Sequence, residues 1–194
     1  MPVPTDELSE RYLKKAIAEI NDLGHEIAQA AGADHAPVLG SGHPLADVFL
    51  LKHRPRDSEV QEGVAFYGRA GDAIMKALGR LRVDPTAVYG TNVLKYEGGD
   101  EEEARAWLVR ELHVVQPKII VVMGQDALRC LNETGFPLSS PLEPKTGEIQ
   151  RYTPTTDALV TPDVDDSLDE QPAKRSFWEA FKELGPWWAE LPPW

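Results

Sequence analysis

Four stretches of the chain concentrate residue types that do chemistry. Lys52-His53-Arg54-Pro55-Arg56 is a compact basic run, and Lys52, Arg54 and Arg56 are the side-chain types that hold phosphate. Phe66-Tyr67-Gly68-Arg69-Ala70-Gly71 sets an aromatic ahead of a turn bounded by Gly68 and Gly71. Backbone N–H groups at a helix start can approach a phosphate or a base there, with Arg69 beside them. Asn92 closes a short apolar run and carries an amide with both donor and acceptor. Val160-Thr161-Pro162-Asp163-Val164-Asp165-Asp166 is an acidic loop entered from an apolar run. Each also has an ordinary structural reading: Phe66 as a core aromatic, Asn92 as a turn-former and the glycines as connectors. His53 then belongs to a phosphate-binding run and Asp163 to a solvated loop.

Composition limits the partners. The formal net charge of −12 excludes broad electrostatic adhesion to nucleic acid, since phosphate contacts need clustered Lys and Arg. The acid gathers in Asp100-Glu101-Glu102-Glu103 and around Asp163, so a local basic groove on one face and an acidic back remain compatible with DNA. The single cysteine, Cys130, shares helical spacing with Leu128 and Leu131 and reads as a buried thiol. One cysteine allows no intrachain disulfide and no cysteine-ligated zinc or iron–sulfur site, so no metal and no cofactor are expected. The sequence has no run of about 18 apolar residues and no secretory leader pattern, which predicts a cytoplasmic protein without membrane association.

Elements must position these residues. The spacing of Leu8, Tyr12, Ala16, Ile20, Leu23 and Ile27 predicts an amphipathic helix over 6–31, ended by Gly32. Strands are expected at 46–51, 88–94 and 119–123, and helices at 68–81, from the acidic cluster at 100–103 to Val115, and at 127–132. Arg151-Tyr152-Thr153 and Ala158-Leu159-Val160 read as a hairpin around Pro154-Thr155-Thr156-Asp157, and 175–184 as a final helix. Pro186-Trp187-Trp188 and Trp194 are expected to cap the core. Alternating strands and helices predict an α/β fold, a three-layer αβα sandwich with a central, mostly parallel sheet, forming one domain over 1–194. Ligands are expected beyond the carboxyl ends of the strands.

The order and spacing of Phe66-Tyr67-Gly68-Arg69-Ala70-Gly71, Thr91-Asn92-Val93-Leu94-Lys95 and Pro117-Lys118-Ile119-Ile120-Val121-Val122-Met123-Gly124 resemble the family-four and family-five uracil-DNA glycosylases. The likeness runs from Ala46 to Gly71, from Val88 to Leu131, and returns in the closing helix at Trp178. The resemblance implies a monomeric, monofunctional DNA glycosylase of base-excision repair that acts on DNA containing uracil or another modified base. It implies that Phe66 stacks on the extruded base and that Asn92 reads the pyrimidine edge.

Three departures qualify what the resemblance implies. Where the family usually carries a Gly-Glu-x-Pro-Gly type loop, this chain has Lys52 to Arg56, so His53 stands where an acidic residue is common. The His-Pro-Ser type motif is missing: Thr161 or Asp163 takes the histidine's place, depending on the register, and a donor to the departing base is lost. An exchange of roles follows as an expectation, with His53 donating to the base and Asp163 stabilising the sugar cation. Tyr96 and Ala104 occupy positions of cluster-binding cysteines. Two other readings stand beside the glycosylase: a catalytically silent reader of DNA or a modified base, and a nucleotide or small-ligand module on the same scaffold.

Overall fold

The computed structural model describes residues 5–192; Trp194 lies outside the described residues. The chain runs α1 (Thr5–Ala31), β1 (Ser41–Gly42), β2 (Val48–Lys52), α2 (Asp57–Glu62), α3 (Arg69–Leu81), β3 (Val88–Asn92), α4 (Glu101–Val115), β4 (Ile119–Met123), α5 (Gln125–Asn132), β5 (Ile149–Thr153), β6 (Thr156–Thr161), α6 (Gln171–Phe181) and α7 (Leu184–Ala189). Among the described residues six strands form one sheet in the order β1-β3-β2-β4-β6-β5. The inner four are mutually parallel, and the two edge strands are antiparallel.

Strand alternation divides the sheet's side chains between two cores. Phe49, Leu51, Tyr89, Ile120, Val122, Ala158 and Val160 face α4 and α5. Val48, Leu50, Val88, Ile119, Val121 and Leu159 face α3, α6 and α7. β2 and β4 are buried throughout, as expected for parallel strands covered on both sides. The long α1 packs against α4, where Leu23, Ile27, Tyr96 and Trp107 make a third, smaller cluster.

The expected strands and helices are present with shifted ends. The hairpin turn is narrower than expected because Thr156 already pairs with Thr153, which leaves Pro154 and Thr155 at the tip. The last helix begins earlier, at Gln171 with a proline in its first turn, and breaks before Leu184. β1 and α2 were not expected.

The register positions the site. Lys52 and Asn92 are Cα partners at the carboxyl ends of β2 and β3, and both occupy the parity that faces α3 and α6. The chain leaves β2 toward β3 on one side and leaves β4 toward β6 on the other. The switch point of the sheet therefore lies beside the end of β2.

Candidate base-binding site

Glu59 in α2 organises the residues at the ends of β2 and β3. It is 1% exposed, and its carboxylate receives four donors. Oε1 accepts from the Phe66 backbone N–H at 2.5 Å and from Asn92 Nδ2 at 3.2 Å. Oε2 accepts from Lys52 Nζ at 2.7 Å and from the Arg56 backbone N–H at 2.7 Å. A carboxylate can only accept, so Glu59 fixes the Asn92 amide with its N–H₂ inward and Oδ1 free.

Lys52 differs from the expectation of a phosphate contact. Its side chain is fully buried, and its ammonium also donates to Asp165 Oδ2 at 2.8 Å. The same ammonium stands 5.0 Å from the centroid of the Phe66 ring, within cation–π range. A lysine can be this deep only because two carboxylates and an aromatic face replace its water.

Phe66 is half-buried with φ of 63°, a left-handed conformation uncommon outside glycine. The glycines around it make room. A Cβ on Gly71 would lie 1.9 Å from the Phe66 carbonyl oxygen, and one on Gly90 would lie 2.7 Å from Phe66 Cδ2. Gly71 thus admits the backbone of the Phe66 turn, where phosphate approach was expected of it. Gly68, with φ of 97°, caps the start of α3. Lys95 braces the site from behind: its buried ammonium donates to the Asn92 carbonyl at 2.7 Å, to Thr91 Oγ1 at 2.6 Å and to Glu111 Oε2 at 2.5 Å.

His53 continues from β2. Its Nε2 lies 3.3 Å from Glu101 Oε1, which requires the proton on Nε2 and leaves Nδ1 as an acceptor in the neutral ring. Glu101 is held at a pKa of about 2, chiefly by the Arg129 guanidinium, with Cys130 and His53 adding hydrogen bonds. Burial and the hydrogen bond to Glu101 push the Cys130 thiol up to about 12. His53, Glu101 and Cys130 bring ligand atoms within 4.8 Å of one another, but Arg129 already supplies the positive charge at Glu101.

At the end of β6, Thr161 is buried and its hydroxyl donates to the Pro162 carbonyl at 2.9 Å, so it is spent on the loop that follows. Asp163 is half-buried beside Gly124. Its Oδ1 accepts from the Asp165 backbone N–H at 2.7 Å, and burial, aided by the neighbouring Asp165 and Asp166 carboxylates, raises its pKa. Arg54 and Arg56 are exposed at the rim. Arg69, also exposed, donates to Asp169 Oδ1 at 2.8 Å and to the Leu168 carbonyl.

Among the described residues, the buried side-chain nitrogens and oxygens without a partner are His53 Nδ1, Asn92 Oδ1 and Asp165 Oδ1. Asn92 Oδ1 and Asp165 Oδ1 belong to the network around Glu59 and Lys52, whereas His53 is tied to Glu101 of α4. Buried polar atoms are normally satisfied, so these orphans are candidate partners for a ligand.

The sequence pattern did not disclose Glu59, Asp165, Glu101, Lys95 or Glu111. A weak signal existed for Glu59, because a Glu three residues after a helix's preceding residue is the reciprocal half of a capping box. An iron–sulfur cluster does not fit this chain. Tyr96, at a position where the resemblance implies a ligand, packs its ring against Trp107 and His35 at centroid distances of 6.2 and 5.5 Å.

A doubly wound sheet with an aromatic-backed polar cluster at its switch point defines an open-sheet α/β protein. Comparison with known sequences specifies the family: the model for the Uracil DNA glycosylase superfamily matches residues 39–185, and the chain belongs to that superfamily. It is 30% identical over 101 residues to the type-4 uracil-DNA glycosylase of Sulfurisphaera tokodaii, covering 47% of this chain and 46% of that protein. It is 28% identical over 126 residues to the type-4 enzyme of Archaeoglobus fulgidus, covering 59% and 63%. With the type-4 enzyme of Pyrobaculum aerophilum the figures are 30% over 104 residues, covering 50% and 53%. The chain thus spans about half to three-fifths of the length of these curated relatives. No helix among the described residues is long and apolar enough to cross a membrane.

Proposed function

We propose that this chain binds DNA containing a modified base, takes the extruded base between Phe66 and Asn92, and hydrolyses its N-glycosidic bond. The observation that carries the proposal is Asn92, a fully buried amide at a strand's carboxyl end whose Oδ1 has no partner and whose orientation Glu59 fixes. Stacking and edge contacts recognise a base; Arg54 and Arg56 at the rim hold flanking phosphates. The Glu101–His53 pair leaves Nδ1 able to take a proton from water as its oxygen bonds to the sugar C1′. The bond to the base breaks with its electron pair going to the base, and Asp163 opposes the positive charge on the sugar.

A second reading, a silent reader that binds a modified base without hydrolysis, is favoured by the Thr161 hydroxyl, which donates to the Pro162 carbonyl and so offers no donor to a departing base. One assay separates these readings and the small-ligand module. Single- and double-stranded oligonucleotides carrying uracil, hypoxanthine or another modified base are incubated with the protein and then treated with alkali. Strand cleavage only after alkali is the outcome expected of a monofunctional glycosylase. DNA binding without cleavage supports the silent reader, and absence of DNA binding at low salt supports the small-ligand module.

A further inference from the structure

Among the buried side-chain atoms of the site, the unspent hydrogen-bonding capacity is one-sided. Asn92 Nδ2 is spent on Glu59, and the Lys52 ammonium is spent on Glu59 and Asp165. His53 Nε2 is spent on Glu101, and Thr161 on its own loop. Among the buried side-chain atoms, Asn92 Oδ1 and Asp165 Oδ1 remain unpartnered, and both are acceptors. The charge agrees: two buried carboxylates, Glu59 and Asp165, share one ammonium, and Asp163 stands in the same loop as Asp165. Such a site suits a ligand that brings donors and positive charge. Uracil brings two carbonyl oxygens and one N–H, so its oxygens would face acceptors and carboxylates.

We infer that the base this site is built to take is cationic and rich in N–H donors, the chemistry of an N-alkylated purine, in preference to uracil. The inference rests on the reading that the site receives an extruded base. It also accounts for the missing histidine donor. Uracil leaves carrying negative charge that needs a donor, whereas a cationic purine leaves neutral, because the electron pair of the breaking C1′–N bond cancels its charge. Water supplies oxygen to C1′ and gives up its proton, so no group is required to stabilise an anionic leaving base. A carboxylate lining then favours the ground state of the ligand and the sugar cation alike.

Oligonucleotides of one sequence carrying N7-methylguanine, uracil or unmodified guanine at the same position test this. Competitive binding is read by fluorescence anisotropy, and base release by chromatography of the free base. The expected result is a preference of about tenfold or more for N7-methylguanine over uracil in binding or in release, the scale of one desolvated charge contact. Asp165→Asn, which keeps the shape and leaves Lys52 paired with Glu59, should cut that preference severalfold without loss of the folding transition. Uracil preferred to N7-methylguanine, or taken equally well, overturns the inference and leaves base binding standing. No discrimination between either modified base and guanine overturns base binding itself, and the inference with it.

Discussion

Glu59 sets the polarity of the recognition residues, because a carboxylate with four donors leaves its neighbours no freedom over which atom they present outward. Phe66 and Asn92 are the residues proposed to read the base, and the exposed Arg54 and Arg56 those proposed to hold phosphate. Phe66→Ala and Asn92→Ala should therefore reduce discrimination between modified and unmodified oligonucleotides by about tenfold while changing affinity for unmodified DNA little, as competition anisotropy would show. Unchanged discrimination in Asn92→Ala would mean the pocket lies elsewhere. Asp163 gives a second prediction, on stability. Its folded pKa is raised by burial, so its ionised form opposes folding above the usual carboxylate range, whereas below that range the group is protonated in both states. Asp163→Asn keeps an acceptor for the Asp165 N–H and removes the charge. The variant should melt higher than the parent at pH 7, and the difference should vanish as pH falls below the ordinary aspartate value. A lower melting temperature at pH 7 would show that the carboxylate is stabilised by charge partners rather than strained by burial.

At the scale of elements, the parallel strands were legible because β2 and β4 are uninterrupted apolar runs, and a fully covered strand leaves that trace in any sequence. β1 has only two residues, and α2 is a single polar turn and a half whose one buried side chain is Glu59, so neither had a periodicity to read. The site was half legible for the same reason. Phe66 and Asn92 stand in motifs whose order carries the family likeness, but Lys52 sits in a run of charges, and charges are read as surface. Its burial depends on Asp165, 113 residues away, which no local pattern connects to it. Helix α3 offers a test of how tightly the Phe66 turn is held. Gly71 has no room for a methyl, which would meet the Phe66 carbonyl, while a methyl on the exposed Gly79 of the same helix would meet no heavy atom within 4 Å. Gly79→Ala should stabilise the protein by about 0.5–1 kcal/mol through helix propensity, and Gly71→Ala should destabilise it by about 2 kcal/mol or more, both measured by urea unfolding. Equal effects at the two positions would mean that the turn relaxes freely.

Across the whole molecule, an acidic chain that docks on DNA as proposed must meet the polyanion through a small area. With a net charge of −12 and Lys52 withdrawn into the interior, the cations left at the mouth of the site are Arg54 and Arg56, with Arg69 shared with Asp169. Each phosphate neutralised contributes about −0.7 to −0.9 to the slope of log affinity against log salt, so two or three contacts predict a slope near −2, shallow for a DNA-binding protein. The acidic cluster at the start of α4 is committed elsewhere: Glu101 to Arg129 and His53, and Asp100 to the helix cap. The remaining acid would repel DNA from other faces, so the proposed docking is expected at this rim. Arg54→Ala should weaken binding of modified and unmodified oligonucleotides alike and reduce the slope by about one, whereas Asn92→Ala should leave the slope unchanged and alter only the preference between them. The measurement is fluorescence anisotropy over a series of potassium chloride concentrations. A slope that stays the same in Arg54→Ala, or one near −6 in the parent, would place the phosphate contacts on another face and separate DNA docking from the Phe66 and Asn92 site.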